Sequence, residues 1–223
     1  MRRILFSLCS LLAFTLLGYP VASTAEPLPP NAVMVDIQRY LLLYSATGDE
    51  RFLARLDALG PIFEEGISGQ RNAASLRDMW GLYRGTVEKV RDAYTSRDVE
   101  LKSAVSQARE VSALFDAFIL VDAGRKRPPS LTGNLRRLAL LKALQANREL
   151  LGETQDQAEL DSLVGAIGKQ FDDLPNGDRD ASRQHGMLQK RWQYLLLTSN
   201  AGHTLLYPFN AQIEYLLAHL PAD

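Results

Sequence analysis

Apolar residues recur along this chain at spacings of three and four, and no stretch alternates with period two, so the pattern predicts helices and no strands. Asn31 is placed to cap a helix through Ala46 that carries Val33, Ile37, Tyr40, Leu41 and Tyr44. Thr47 and Glu50 have the spacing of a reciprocal capping box, and the helix they open is expected to close at Leu59, where Gly60-Pro61 combines a flexible residue with one that removes a ladder donor. The clearest pattern lies at about 72–95, where Leu76, Trp80, Tyr83, Val87, Val90 and Tyr94 follow one another at 4, 3, 4, 3 and 4, the signature of a helical bundle seam. Asp98 is placed to cap a fourth helix with Leu101, Val105, Ala108, Ser112, Phe115 and Ile119 at the same spacing, ending near Asp122.

Leu135 to Leu151 is Leu-rich around much of its circumference, which predicts a central helix. Thr154 and Gln157 again fit a capping box, for a helix ending at Pro175-Asn176-Gly177. A helix from about Asp178 to Ala201 carries Leu188, Trp192, Leu195 and Leu196, and a last one from Pro208 to Leu220 holds proline in its first turn. The expectation is an all-α antiparallel helical bundle of about eight helices. They form either one bundle or two packed four-helix units, 31–122 and 134–220, joined by the basic loop 123–133 with Arg125-Lys126-Arg127. Trp80 and Trp192 would each sit in the third helix of its half.

Residues 1–25 stand apart from this pattern. Arg2 and Arg3 precede an uncharged apolar run from Ile4 to Gly18, and Ser23-Thr24-Ala25 supplies small residues for cleavage. Fifteen residues rise only about 22 Å as a helix, short of a hydrocarbon core of about 30 Å, so a cleaved export signal is expected, with a periplasmic or secreted helical domain over 26–223 and no stable membrane insertion. The single cysteine, Cys9, falls in that signal, so the mature chain is expected to hold no thiol for disulfide, metal or nucleophile chemistry. With 25 Lys+Arg against 26 Asp+Glu, the chain lacks the basic excess that nucleic-acid binding needs.

Candidate chemistry is sparse. His185, His203 and His219 are 18 and 16 residues apart, which is no metal-ligand spacing, and the chain has neither a nucleophile elbow nor a phosphate-cradling glycine loop. No catalytic residue, metal site or cofactor is therefore assigned. Asp172, Asp173, Asp178 and Asp180 surround Asn176-Gly177, but with Gly177 as a calcium-loop glycine the third ligand position would be Leu174 and the twelfth Arg183; solvated carboxylates at a helix start are the better account.

The most suggestive arrangement is Arg77, Arg84 and Arg91, seven residues apart and each one position after the seam. They form a stripe beside Trp80 and Tyr83 that has the chemistry to hold a small anionic ligand. Charges flanking a seam also pair with a neighbouring helix, and 153–180, with eight acidic and two basic residues, is the acidic complement to 70–97, with six basic and three acidic. Arg125-Lys126-Arg127, with Arg136 and Arg137 beyond, is a surface run able to meet anionic lipid or an acidic partner.

The run Tyr40-Leu41-Leu42-Leu43-Tyr44-Ser45-Ala46-Thr47-Gly48-Asp49-Glu50-Arg51-Phe52-Leu53 resembles the helix–Thr-Gly-Asp–helix corner of extracytoplasmic four-helix-bundle sensor domains found in chemoreceptors and histidine kinases. The resemblance covers 40–53 and transfers no ligand residue. It implies a soluble relative of such sensors, because no second span or output segment follows. The functional expectation is a non-catalytic exported helical protein that binds another envelope protein, with a small-molecule, sensor-type helical module as the alternative.

Overall fold

The computed structural model describes residues 28–96, 100–122, 130–152, 157–175, 178–199 and 206–220. The segment expected to be an export signal, with Cys9, the expected cap Asp98, the basic run 125–127 and His203 lie outside those residues. The chain is all-α: α1 (Pro30–Thr47), α2 (Glu50–Ser68), α3 (Ala73–Ser96), α4 (Leu101–Asp122), α5 (Leu131–Ala146), α6 (Arg148–Leu151), α7 (Gln157–Asp172), α8 (Arg179–Ser199) and α9 (Leu206–His219).

The cross-helix pairs show α2 packed antiparallel to α3 and α8 antiparallel to α9. Glu64 meets Trp80 while Asp57 meets Arg91 between α2 and α3, and Lys89 meets Gln107 between α3 and α4. Between α8 and α9 Gln184 meets His219 while Arg191 meets Gln212, and α7 touches α8 where Phe171 meets His185 and Asp172 meets Gln189. The α1–α5 contact runs the other way. Asp36 pairs with Arg136 and Ser45 with Asn147, so these two helices are parallel and join the halves along their length.

Two apolar clusters result. The first gathers α1–α4 with Ala143 and Leu151; the second gathers α5 and α7–α9. The α3 seam behaves as its spacing requires, with Leu76, Trp80, Tyr83, Val87 and Val90 all buried. Leu-rich α5 packs against α1, α7 and α9, the central position expected of it, but α1 is equally enclosed: every residue from Arg39 to Ser45 is buried.

Four local expectations need correction. α2 does not stop at Gly60-Pro61 but continues to Ser68, because Phe52, Leu56, Gly60, Phe63 and Ile67 hold one buried face straight through the proline. Pro61 and Asp57 are exposed, so the carbonyl that loses its donor turns towards water. The α2 cap is Asp49, whose carboxylate accepts from Arg51 N at 3.0 Å, while Thr47 Oγ1 bonds back to Leu43 O within α1. α1 begins on Pro30, one residue before the expected cap Asn31, with Pro29 at the cap position and no side-chain bond there. The helix expected over 135–151 begins earlier, capped by Ser130, and breaks at Asn147 into α5 and α6.

The break has a purpose in the packing. Asn147 donates to Leu42 O and Ala143 O, both at 2.8 Å, and accepts from Ser45 Oγ at 2.8 Å, so the end of α5 is tied to the interior of α1. The corner at 47–49 is likewise built by capping: Gly48 takes φ 68°, and its N–H reaches Tyr44 O at 2.7 Å. A Cβ on Gly48 would lie 2.4 Å from the Tyr94 ring, so only glycine fits.

The halves also share a packing device. In α2 the Gly60-x-x-Phe63 pair embraces Trp80 of α3, with ring centroids 5.0 Å apart; in α7 Gly168-x-x-Phe171 embraces Trp192 of α8, with centroids 5.6 Å apart. Each tryptophan thus occupies the equivalent place in its half.

Candidate functional site

The arginine stripe of α3 faces α2. Arg84 is 62% exposed, lies 3.7 Å from Glu64 and sits 5.9 Å from the Trp80 ring centre. Arg91 pairs with Glu88 at 2.8 Å and lies 3.7 Å from Asp57. Arg77 is exposed and outside this group. The acidic complement to the stripe is therefore α2 together with α3 itself, and not 153–180. Since α2 follows the same seam through Pro61, its outer edge delivers Asp57 and Glu64 one helix away from the arginines.

Between α2 and α3 lies an open cleft of about 350 Å³ lined by Leu56, Asp57, Gly60, Glu64, Trp80, Arg84 and Glu88, among others. Trp80 presents its edge to the cleft and donates from Nε1 to Glu64 Oε1 at 2.7 Å. Tyr83 does not join it. It stacks on the far side of Trp80 with centroids 5.7 Å apart and is fully buried. Its hydroxyl has no hydrogen-bond partner, and burial alone raises its pKa. Of the five residues expected to form a site, the fold gathers Trp80 and Arg84, brings Arg91 to the rim, and separates Arg77 and Tyr83.

Two polar centres were not picked out from the sequence. Asp36, on α1, accepts from Arg136 Nε at 3.0 Å and lies 3.1 Å from Arg39 Nη2; all three residues are buried, Arg39 to 1% exposure. Arg39 Nε and Nη1 have no hydrogen-bond partner, and the guanidinium stacks 4.5 Å over Tyr40. Arg136 thus belongs to the interior and not to a basic surface run, while Arg137 pairs with Glu159 of α7. The second centre is Glu214 of α9, which accepts from Tyr40 at 2.7 Å and from Asn210 at 2.6 Å and pairs with Arg55 of α2 at 2.6 Å. Both centres bridge the halves. The available sequence signal was Asp36-x-x-Arg39 set in an otherwise apolar helix, where a charged pair one turn apart is buried as a unit.

Tyr40 makes this bridge pH-dependent. Burial, and secondarily its bond to Glu214, push its pKa up to about 12. An unfolded tyrosine releases its proton near pH 10, so between 10 and 12 the unfolded chain loses a proton that the folded chain keeps, and stability falls as pH rises. The loss should reach about 2–3 kcal/mol across that window. Tyr40→Phe should flatten the slope in urea unfolding midpoints measured at successive alkaline pH values. Lys142, whose pKa burial lowers, acts in the opposite sense up to its ordinary value of 10.5.

Elsewhere the candidates are structurally occupied. Asp178 caps α8, accepting from Asp180 N and Ala181 N at 3.1 and 2.9 Å, and Asp172 accepts from Gln189. His185 bonds Phe171 O, and His219 stacks on Tyr215 at 3.9 Å. Among the described residues no cluster of three His, Cys, Asp or Glu is placed to hold a metal, and no helix is long and apolar enough to cross a membrane.

The fold and its polar centres define an all-α protein whose two apolar clusters meet along α1 and α5 and are bridged by the buried Asp36–Arg136 ion pair. No protein-family model, curated protein or solved structure matches the chain.

Proposed function

We propose that this protein is a non-catalytic interaction module of the cell envelope, exported by its N-terminal segment and docking a partner protein through α8. The observation that carries this reading is the outer face of α8, where Met187, Tyr194 and Leu197 recur at seven and three while remaining exposed, Leu197 at 76%. Leu188, Trp192 and Leu195 on the opposite face already supply the core, so the outer stripe adds nothing to folding. A photo-crosslinking residue at position 197, introduced in the native cells, should join the protein to one defined envelope partner, and Tyr194→Asp should abolish the adduct. The same probe at exposed Glu65 serves as control. Equal yield at both positions, or none at 197, would sink the reading.

The α2–α3 cleft favours a second reading, a small-molecule module. Its lining sets Asp57, Glu64 and Glu88 against Arg84, a charge balance that suits a cationic or zwitterionic ligand better than the anion drawn from the arginine stripe. Thermal-shift screening of amines, amino acids, carboxylates and phosphates separates these classes. A ligand held at 100 times its Kd should stabilise by about 2.7 kcal/mol. Glu64→Gln should remove the response to amines, and Arg84→Ala the response to anions.

A further inference from the structure

The face of α3 turned away from Trp80 carries an arrangement that the single chain does not use. Asp78, Leu82, Gly85 and Lys89 recur at four, three and four, so they form one stripe, and all four are exposed, Leu82 at 65%. The Lys89–Gln107 bond sets the antiparallel register of α3 with α4. Two turns along each helix from that bond, Leu82 comes level with Leu114, and Phe118 follows one turn later; both are also exposed. An apolar surface therefore spans the two helices. Gly85 and its neighbour Gly81 sit within a 24-residue helix with nothing within 4 Å of a Cβ on either. Glycine weakens a helix interior, and no contact inside the chain explains these two.

The stripe is symmetric about the midpoint between Leu82 and Gly85. When two copies of α3 are laid antiparallel with those midpoints superposed, the branched side chain of each Leu82 meets the bare backbone at the partner's Gly85. Each Asp78 then falls opposite the partner's Lys89. In the single chain Lys89 donates to the neutral Gln107, so its charge is available to a carboxylate. Knob against gap and acid against base both follow from one alignment, and an isologous twofold interface requires this self-complementarity.

We infer that the outer face of α3, widened by Leu114 and Phe118 of α4, is the interface of a homodimer in which two α3 helices pack antiparallel with Leu82 against the partner's Gly85 and Asp78 against the partner's Lys89. The occupant is a second copy of this chain. The interface is separate from the α8 stripe, so it stands or falls independently of the partner-docking reading.

Sedimentation equilibrium of the purified whole protein tests the interface, with circular dichroism confirming that each variant stays helical. The wild type should reach the mass of two chains, and Leu82→Glu should return it to one. Asp78→Lys and Lys89→Asp should each weaken self-association about tenfold by placing like charges together, and the Asp78→Lys/Lys89→Asp double variant should restore it. A wild type that stays at single-chain mass overturns the interface. A dimer indifferent to Leu82→Glu, or a double variant no tighter than its single parents, overturns it equally.

Discussion

Asp36→Asn should lower the stability of the folded chain by about 3–5 kcal/mol, the cost of removing one partner from a buried ion pair and leaving the other charges uncompensated. Asparagine keeps the volume of the side chain, so the change reports charge and not a cavity. Asp36 is the only acid in contact with both Arg39 and Arg136 among the described ion pairs, and both guanidinium groups are buried. Arg39 already has two guanidinium nitrogens without hydrogen-bond partners, and losing the Asp36 charge would leave it without its ion pair. Urea unfolding gives the number. Replacing all three residues with apolar ones of similar size should recover much of the loss, because a well-packed apolar substitute avoids the desolvation penalty. A loss below about 1 kcal/mol in Asp36→Asn would mean that water reaches the cluster.

Phe63→Ala should cost about 3–5 kcal/mol, the range for emptying a large aromatic site in a core that cannot collapse. Phe63 is fully buried, contacts Trp80 at 5.0 Å and meets Phe115 edge-on at 5.3 Å, so three helices lose a shared partner. Ile62→Ala, one residue earlier and 44% exposed, should change stability by less than about 0.5 kcal/mol. Unfolding followed by tryptophan fluorescence compares the two. Equal effects would place Phe63 in a loop beyond a helix that ends at Leu59.

That contrast shows where local reading succeeds and where it fails. The α3 seam was legible because its period is unbroken and its burial follows directly from it. The continuation of α2 was not, since Gly60-Pro61 is a strong local stop and only the burial of Phe63 and Ile67, supplied by α3 and α4, outweighs it. Asn147 misled in the reverse direction: nothing nearby marks a break, and its reason lies in the backbone of α1, 105 residues away. The arginine stripe was visible as spacing, yet its acidic partners were sought in the wrong half because composition shows balance without adjacency. Asp36 and Arg136 carry no mutual signal at a separation of 100 residues. Trp80 and Arg84 lie side by side because one helix holds both, one turn apart. Tyr83, one turn from Trp80, does not join them, since a seam residue points inward.

The parallel docking of α1 on α5 bears on how the chain reaches its native state. Asp36, Ser45, Tyr40 and Arg55 all wait for groups made 100 or more residues later, so these polar groups of α1 and α2 gain their partners only once the second half of the chain is in place. Contacts of such long range slow folding and make it collective. Deleting α9 should then loosen the amino-terminal helices as well as their carboxy-terminal neighbours, since the carboxylate of Glu214 would be gone from between α1 and α2.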